Sequence, residues 1–445
     1  MALGLSRSQR VDQRPLALLD IGSSKVCCLI VSAPAGDGNG ARVGEPLPVR
    51  RLGLGLTRSQ GIRAGAVIDL AEAEEAVRQA VAQAEQEAGV AISEVVVAVS
   101  AGRLASLNFS AGTKPATGTV SSADIDKVLD AGSEFAARDA RELLHLHRLG
   151  FRLDGRSGIR NPRGMAGKRL TIDLNAVISD AAATRNLRSL LGRSYLTASQ
   201  LVGAPYAAAL AALAEDDLQA GTIVIDCGAD CTSFALFAEG LFLGVGSVAI
   251  GGQLITQDIA RALSLPVNQA ERIKALYGNL VGAMSDEHEY VPFSTAGSRS
   301  NIDPATLPRV TRAQLRRIMV PRVEETLQLV REAMTATGLS GRAGGRVVLT
   351  GGAAQLSGLS EQVARLFGAT ARVATPLGFD GFAPGEMTPA LGTVIGLAYA
   401  TLVPGALPRR SSSEALSPAS YAGRLGRWFK DSFWDDEKAA GTGAA

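Results

Sequence analysis

At 445 residues, with 46% hydrophobic and 20% charged side chains and 50 glycines, the chain has the make-up of a globular α/β protein of several domains, which excludes a disordered or fibrous one. Lys plus Arg (45) nearly balance Asp plus Glu (43), which excludes a global electrostatic drive toward nucleic acid and directs attention to local sites. No apolar run reaches the ~18 residues that a membrane span needs, so any membrane contact is expected to be peripheral.

Residues 1–14 are polar and contain arginine without an apolar core, so no secretory signal is expected and the thiols should be free in a reducing cytosol. The first predicted element is a hairpin. The apolar run Leu18-Leu19 ends in Asp20-Ile21-Gly22-Ser23-Ser24-Lys25 and is followed by a second apolar run from Val26 to Val31. Glycine lets backbone N–H groups approach an anion, the hydroxyls add donors, and an Asp at the strand end can hold a hydrated Mg²⁺. Helical spacing then predicts a helix over 69–88, closed by Gly89, and the run Val95-Val96-Val97-Ala98-Val99 predicts a buried strand over 94–100.

Between about residues 103 and 177 the texture changes to Ser/Thr-rich turns. A helix over 122–138, capped at Ser121, and strands at 151–155 and 170–177 predict a small inserted α+β unit. His145 and His147, on alternate positions of a Leu-rich run, offer no metal cluster. Helices at 182–191 and 204–214, with a strand between them reaching 201, lead into a second copy of the opening motif. There Val224-Ile225 ends in Asp226-Cys227-Gly228-Ala229-Asp230-Cys231-Thr232, followed by an apolar run at 234–237. All four cysteines, Cys27, Cys28, Cys227 and Cys231, lie in or beside the two hairpins, and Cys227-x-x-x-Cys231 lacks the second ligand pair of a zinc site. Two such hairpins facing each other would grip a polyphosphate from both sides.

Gly251-Gly252 precede a helix over 254–263, a start suited to anion contact. A helix over 268–277 carries Glu271 and Lys274 on one face. Long amphipathic helices follow at 310–334, with Pro321 expected to break or kink them. A third strand then runs into Gly351-Gly352, where bare backbone can lie flat against a base or ribose.

Two hairpins of phosphate type, the Gly351-Gly352 turn, and Ala/Gly-rich helices at Gly203-Ala204-Pro205-Tyr206-Ala207-Ala208 and Ala390-Leu391-Gly392-Thr393-Val394-Ile395-Gly396-Leu397 together resemble the actin, Hsp70 and hexokinase superfamily over about residues 16–400. The inserted unit narrows the match. Leu144-His145-Leu146, Phe151-Arg152-Leu153-Asp154-Gly155, Ile159-Arg160-Asn161-Pro162 and Gly164-Met165-x-Gly167 resemble the signature insertion of the FtsA family of actin-like cell-division proteins. The resemblance implies a two-lobed actin-like (ribonuclease H-like) α/β fold with the small α+β subdomain inserted in the first lobe. It divides the chain into a first lobe (1A; 14–102, 178–215 and 386–403), the insertion (1C; 103–177), a second lobe (2A; 216–245 and 335–385) and a second-lobe insertion (2B; 246–334).

The same resemblance implies ATP with Mg²⁺ between the lobes. Gly22, Ser23, Ser24 and Lys25 would cradle the phosphates, Asp20 and Asp226 would face the metal, and Gly228 would close from the other lobe. Gly251 and Gly252 would lie near the phosphates, Glu271 and Lys274 near the ribose and base, and Gly351 and Gly352 beside the adenosine. It further implies self-association into filaments, binding of the C-terminal peptide of FtsZ through 246–334, and contact with later divisome proteins through 103–177. Nucleic acid is not an expected partner, and no catalytic base stands out. Where the family usually has a glycine run and then Thr, this chain has Ala229, Asp230 and Cys231, so weak or absent hydrolysis is expected. Arg312, Arg316 and Arg317, on one helix, could meet an acidic peptide.

The tail reads as a tether. Residues 404–420 have few groups able to offset the cost of ordering and predict a flexible linker. From there Tyr421, Leu425, Trp428, Phe429 and Phe433 follow the spacing of one helical face, flanked by Arg424, Arg427 and Lys430 and closed by Trp434. That pattern over 421–434 predicts an amphipathic helix lying in a lipid headgroup region, and the FtsA resemblance implies that the lipids are those of the inner membrane, on its cytoplasmic face at the division septum. A pilus-assembly or rod-shape actin homologue, and a kinase of the superfamily, are the alternatives.

Overall fold

The structure is a computed structural model, and it describes residues 13–34, 41–101, 103–293, 308–339 and 341–407. The expected linker beyond residue 407 and the helix over 421–434 lie outside the described residues. Two units are distinguished, one formed by residues up to 105 together with 179–406, the other by 106–178.

In the larger unit, β1 (Gln13–Ile21) and β2 (Lys25–Pro34) are the arms of the first Asp-x-Gly hairpin, with Asp20 opposite Cys27. Leu18, Leu19, Cys28, Leu29 and Ile30 are fully buried, which explains why these runs are continuously apolar: both faces are covered. β3 (Arg50–Arg58) joins β2 antiparallel, and the short β4 (Ile62–Arg63) and β5 (Ala66–Val67) close on a two-residue turn, Ala64-Gly65. The predicted helix is α1 (Leu70–Ala88), capped by the Asp69 carboxylate and ended by Gly89 at φ 67°. It lies so close to β3 that a Cβ on Gly55 would fall 1.7 Å from the Ala80 carbonyl oxygen. β6 (Glu94–Val99) pairs parallel with β1.

The 106–178 unit holds a four-stranded sheet in the order β7-β10-β8-β9, from β7 (Ala105–Thr113), β8 (Arg141–Leu153), β9 (Arg156–Ile159) and β10 (Leu170–Asp180). Its helix, α2 (Ser122–Ala136), starts at a capping box between Ser121 and Asp124 and shares a core of Ile125, Val128, Phe151, Leu170, Ile172 and Leu174 with the sheet. β7, which the Ser/Thr-rich texture disguised as turns, is a strand. So is the His145-His147 run, where the two imidazoles meet on one face of β8 at 2.8 Å, Nδ1 to Nε2.

Burial, joined for His145 by the neighbouring imidazole, holds His145 well below the usual histidine range and His147 at about 3. A depressed folded value means the unfolded chain binds protons first. Stability is therefore intact above about pH 6.5 and lost as pH falls toward 3, at up to about 1.4 kcal/mol per pH unit for each imidazole. Amide exchange over 106–178 should accelerate on acidification in the wild type relative to a His145→Leu/His147→Leu variant at each pH. Equal acid sensitivity in the two would contradict this.

The chain returns to the larger unit with α3 (Ala181–Arg193), β11 (Thr197–Gly203), α4 (Ala204–Ala212) and α5 (Glu215–Ala220). The second hairpin is β12 (Thr222–Cys227) and β13 (Thr232–Ala238), extended by β14 (Leu241–Val248). Then come α6 (Gly252–Leu263), α7 (Val267–Tyr277), the short pair β15 (Tyr290–Pro292) and β16 (Arg309–Thr311), and α8 (Arg312–Ala336). Pro321 does not break α8. Its ring sits on the exposed face, where water can meet the carbonyl it orphans, while Leu315, Met319, Val323, Leu327 and Val330 hold the helix from the buried side. β17 (Arg346–Thr350), α9 (Leu359–Phe367), β18 (Thr370–Val373) and α10 (Gly392–Leu402) complete the unit.

The two sheets repeat one plan. The first runs β3-β2-β1-β6-β11 and the second β14-β13-β12-β17-β18, each with antiparallel pairs on the hairpin side and parallel pairs on the other. This duplicated order is the two-lobed actin-like fold, with an α+β unit inserted in the first lobe between β6 and α3. The fully buried α4 and α10, the latter buried from Gly392 to Ala400, cross between the sheets: a Cβ on Gly396 would fall 1.8 Å from the Ala207 carbonyl oxygen.

Candidate functional site

The repetition extends to atoms. In the first turn the Gly22 N–H donates to the Lys25 carbonyl at 3.0 Å, and in the second the Gly228 N–H donates to the Cys231 carbonyl at 2.9 Å. Both turns open on a cleft of about 1030 Å³ lined from both sheets. Of the residues predicted for the site, Asp20, Gly22, Ser23, Ser24, Lys25, Asp226, Gly228, Gly252, Glu271, Lys274, Gly351 and Gly352 all line it.

Gly251 does not line the cleft. It is pressed onto the second hairpin, where a Cβ would meet the Ala229 carbonyl oxygen at 2.5 Å. The first amides of α6 are likewise already used, Gly252 N–H donating to Gly228 O at 3.0 Å and Gln253 N–H to Ala229 O at 2.8 Å. The helix start therefore fixes the hairpin instead of presenting those two donors to an anion. Gly351, at φ 86°, is needed for its backbone and for space against Asp226, whose Oδ1 would lie 2.3 Å from a Cβ there. Gly352 faces open cleft.

The strand-end carboxylates Asp20 and Asp226 both line the cleft and lie close enough to interact electrostatically. Burial raises the Asp20 carboxyl, with Lys25 acting against the rise. Asp226 is pushed up to about 7 by burial and by the Asp20 charge, against the pull of Lys25 and a hydrogen bond from Thr393. Lys25 also donates through Nζ to the Ala390 carbonyl just ahead of α10. Cys231, at the position equivalent to Lys25, is a protonated thiol raised to about 11 by burial and by Asp230 and Asp226. At the other end, Lys274 Nζ donates to Gly252 O at 3.0 Å and Thr256 Oγ1 at 2.8 Å and pairs with Glu271 at 2.6 Å. Thr256 in turn donates to Glu271.

Sequence reasoning missed several lining residues, among them Arg58, Gly65, Asn268, Gln355, Leu356 and Thr393. Thr393 and Asn268 lie in helices already singled out in the sequence; the others stand in stretches with no motif of their own. Arg312, Arg316 and Arg317 prove to be matched within the chain, by Glu289 at 3.0 Å, by Asp286, and by Glu287 at 2.9 Å. Among the described residues no three His, Cys, Asp or Glu side chains form a metal-holding group, and no helix is long and apolar enough to cross a membrane.

The cell division protein FtsA of Agrobacterium fabrum is 35% identical over 422 residues, covering 94% of this chain and 95% of its own length. The chain belongs to the FtsA family. The profile of cell division protein FtsA matches residues 223–403, and that of the SHS2 domain inserted in FtsA matches residues 101–178. FtsA of Escherichia coli is 29% identical over 398 residues, 87% of this chain and 90% of its own. The protein is thus an actin-like cell-division protein. Among solved structures, the PilM-PilN type IV pilus biogenesis complex superposes with a TM-score of 0.60 at 16% identity, covering 87% of this chain and 99% of that one. That likeness concerns the fold alone and leaves the pilus-type alternative without support beyond it.

Proposed function

We propose that this FtsA-family protein binds ATP with Mg²⁺ in the cleft, polymerises on the inner membrane at the division septum, tethers FtsZ filaments there and helps recruit later divisome proteins. The observation that carries the nucleotide reading is the pair of identically closed Asp-x-Gly turns facing one cleft. The residues present fit such a group. Two neighbouring carboxylates, one of them raised by the charge of the other, are stabilised by a divalent cation, the first turn adds two hydroxyls and an ammonium, and Gly352 leaves flat backbone exposed.

Asp20 and Asp226 would face the cation, Gly22, Ser23, Ser24, Lys25 and Gly228 the phosphates, and Glu271, Lys274 and Gly352 the nucleoside. When bound, Mg²⁺ neutralises phosphate charge. The chain's own part is to draw the two lobes toward one ligand across the α4/α10 crossing. The nucleotide then acts as an assembly switch, and with Ala229, Asp230 and Cys231 standing in the second turn hydrolysis is weak or absent.

The tether reading rests on sequence, on the aromatic and basic face from Tyr421 to Trp434. One such helix binds reversibly, at about 1.5–3 kcal/mol per buried large side chain before ordering costs, and polymerisation adds avidity. For FtsZ, the matched arginines shift attention to the apolar side chains flanking their ion pairs, the fully exposed Met284 and the largely exposed Tyr290. Deleting residues 421–445 should abolish co-sedimentation with liposomes containing anionic lipid, and undiminished binding would remove the tether. The full chain should be captured by an immobilised C-terminal peptide of FtsZ; failure of capture would leave the FtsZ reading without support.

A further inference from the structure

One acidic side chain that lines the cleft reaches the opposite lobe. Asp230, in the second turn, accepts the Ala64 N–H through Oδ2 at 3.2 Å. The adjoining Gly65 N–H donates to Ser23 Oγ of the first turn at 3.1 Å. Ala64 and Gly65 form the two-residue turn between β4 and β5, at φ 47° and 72°, so their amides lie outside the strand ladder and project from its tip. The tip has little freedom to move: a Cβ on Gly65 would fall within 3.0 Å of Ser100. A rigid pair of backbone donors is thus held between the two phosphate-type turns, and one donor is occupied by the chain's own carboxylate.

We infer that Asp230 is a built-in surrogate for the terminal phosphate, and that it makes the cleft discriminate nucleoside diphosphates from triphosphates. The inference rests on the nucleotide reading above. Backbone amides at a turn tip are anion donors, and a carboxylate is the anion they hold when no phosphate is present. On the nucleotide reading Lys274 and Gly352 take the nucleoside, so the last phosphate of a bound chain would approach the junction of the two turns, where Asp230 and the Ala64 amide meet. A diphosphate stops short of that junction and leaves the Asp230 contact intact. A triphosphate reaches it, must displace the carboxylate from the amide, and then lies beside an unpaired negative charge. Bound triphosphate therefore breaks a contact between the lobes that bound diphosphate keeps.

The test is equilibrium binding of ADP and of the non-hydrolysable analogue adenylyl imidodiphosphate, at fixed excess Mg²⁺, to the full-length wild type, Asp230→Asn and Asp230→Ala. Asp230→Asn preserves shape and an acceptor oxygen, so it separates charge from folding, and melting temperatures of both variants report on the fold. Both variants should bind the triphosphate analogue roughly tenfold or more tightly than the wild type, with ADP changed less than about twofold. An equal gain for both nucleotides, or no gain for either, overturns the inference while leaving the nucleotide reading intact. Weaker triphosphate binding by both variants also overturns it, because Asp230 would then be holding the nucleotide's cation. A wild type that binds neither nucleotide overturns the nucleotide reading and the inference with it.

Discussion

Gly396→Ala should lower the melting temperature of the chain by roughly 2–5 °C, whereas Gly150→Ala, which adds the same methyl group, should change it by no more than about 1 °C. At position 396 the new Cβ would sit 1.8 Å from the backbone carbonyl oxygen of Ala207, and a carbonyl in a buried helix cannot rotate away as a side-chain end can. Either α4 or α10 must move. Both are buried, α10 from Gly392 to Ala400, so parting them opens packing on two sides, at a cost on the order of 3–5 kcal/mol against the ~1 kcal/mol that Ala gains over Gly in a helix. At Gly150 a Cβ meets nothing within 4 Å and φ is not in the left-handed region.

The consequence of that close approach is mechanical as well as energetic. From α4, Tyr206 stacks on Phe237 and meets Phe242 edge-on, tying the helix to the second sheet. From α10, the Tyr399 hydroxyl donates to the carbonyls of Glu45, at 2.7 Å, and Leu377. The crossing is thus anchored on both sides, and a glycine where the backbones meet lets the lobes share one axis. Differential scanning fluorimetry of the two variants is sufficient, and equal melting temperatures would contradict the account.

Asp226→Asn should weaken Mg²⁺–nucleotide binding by at least about 100-fold, equivalent to about 2.7 kcal/mol, while the metal-free chain melts no lower than the wild type. The two effects have one origin. Asp226 lies half-buried near Asp20, whose charge raises it, so the pair resists ionising together. The isosteric amide keeps an acceptor oxygen for Thr393 and relieves the repulsion, so the empty site gains. The same change removes half of the charge that would attract a divalent cation, so the loaded site loses. Melting in EDTA and displacement of a fluorescent nucleotide in Mg²⁺ read the two separately. Unchanged nucleotide affinity, or a lower melting temperature in EDTA, would contradict the paired roles.

Much of this was written in local patterns. A strand ending in Asp-x-Gly appears twice, and the fold turns it into two turns with the same closing hydrogen bond. The helix at 70–88 carries its own cap at Asp69 and its own stop at Gly89. What escaped local reading depends on partners distant in sequence. β7 alternates Leu107, Phe109 and Ala111 with Ser106, Asn108 and Ser110, a two-residue period masked by its polar content. Pro321 suggests a break, and only the burial of the opposite face of α8 shows why the helix continues. The arginines of that helix look available until the 286–289 stretch supplies an acid to each. Asp230 looks like a defect in a phosphate turn until Ala64, 166 positions away, is found hydrogen-bonded to it.

The most direct test is a crystal structure of the full chain grown with Mg²⁺ and a non-hydrolysable ATP analogue. The account predicts a polyphosphate between the Gly22–Lys25 and Gly228–Cys231 turns, a cation at Asp20 and Asp226, and the nucleoside beside Lys274 and Gly352. A nucleotide bound elsewhere, or a cleft left empty at saturating nucleotide, would contradict it.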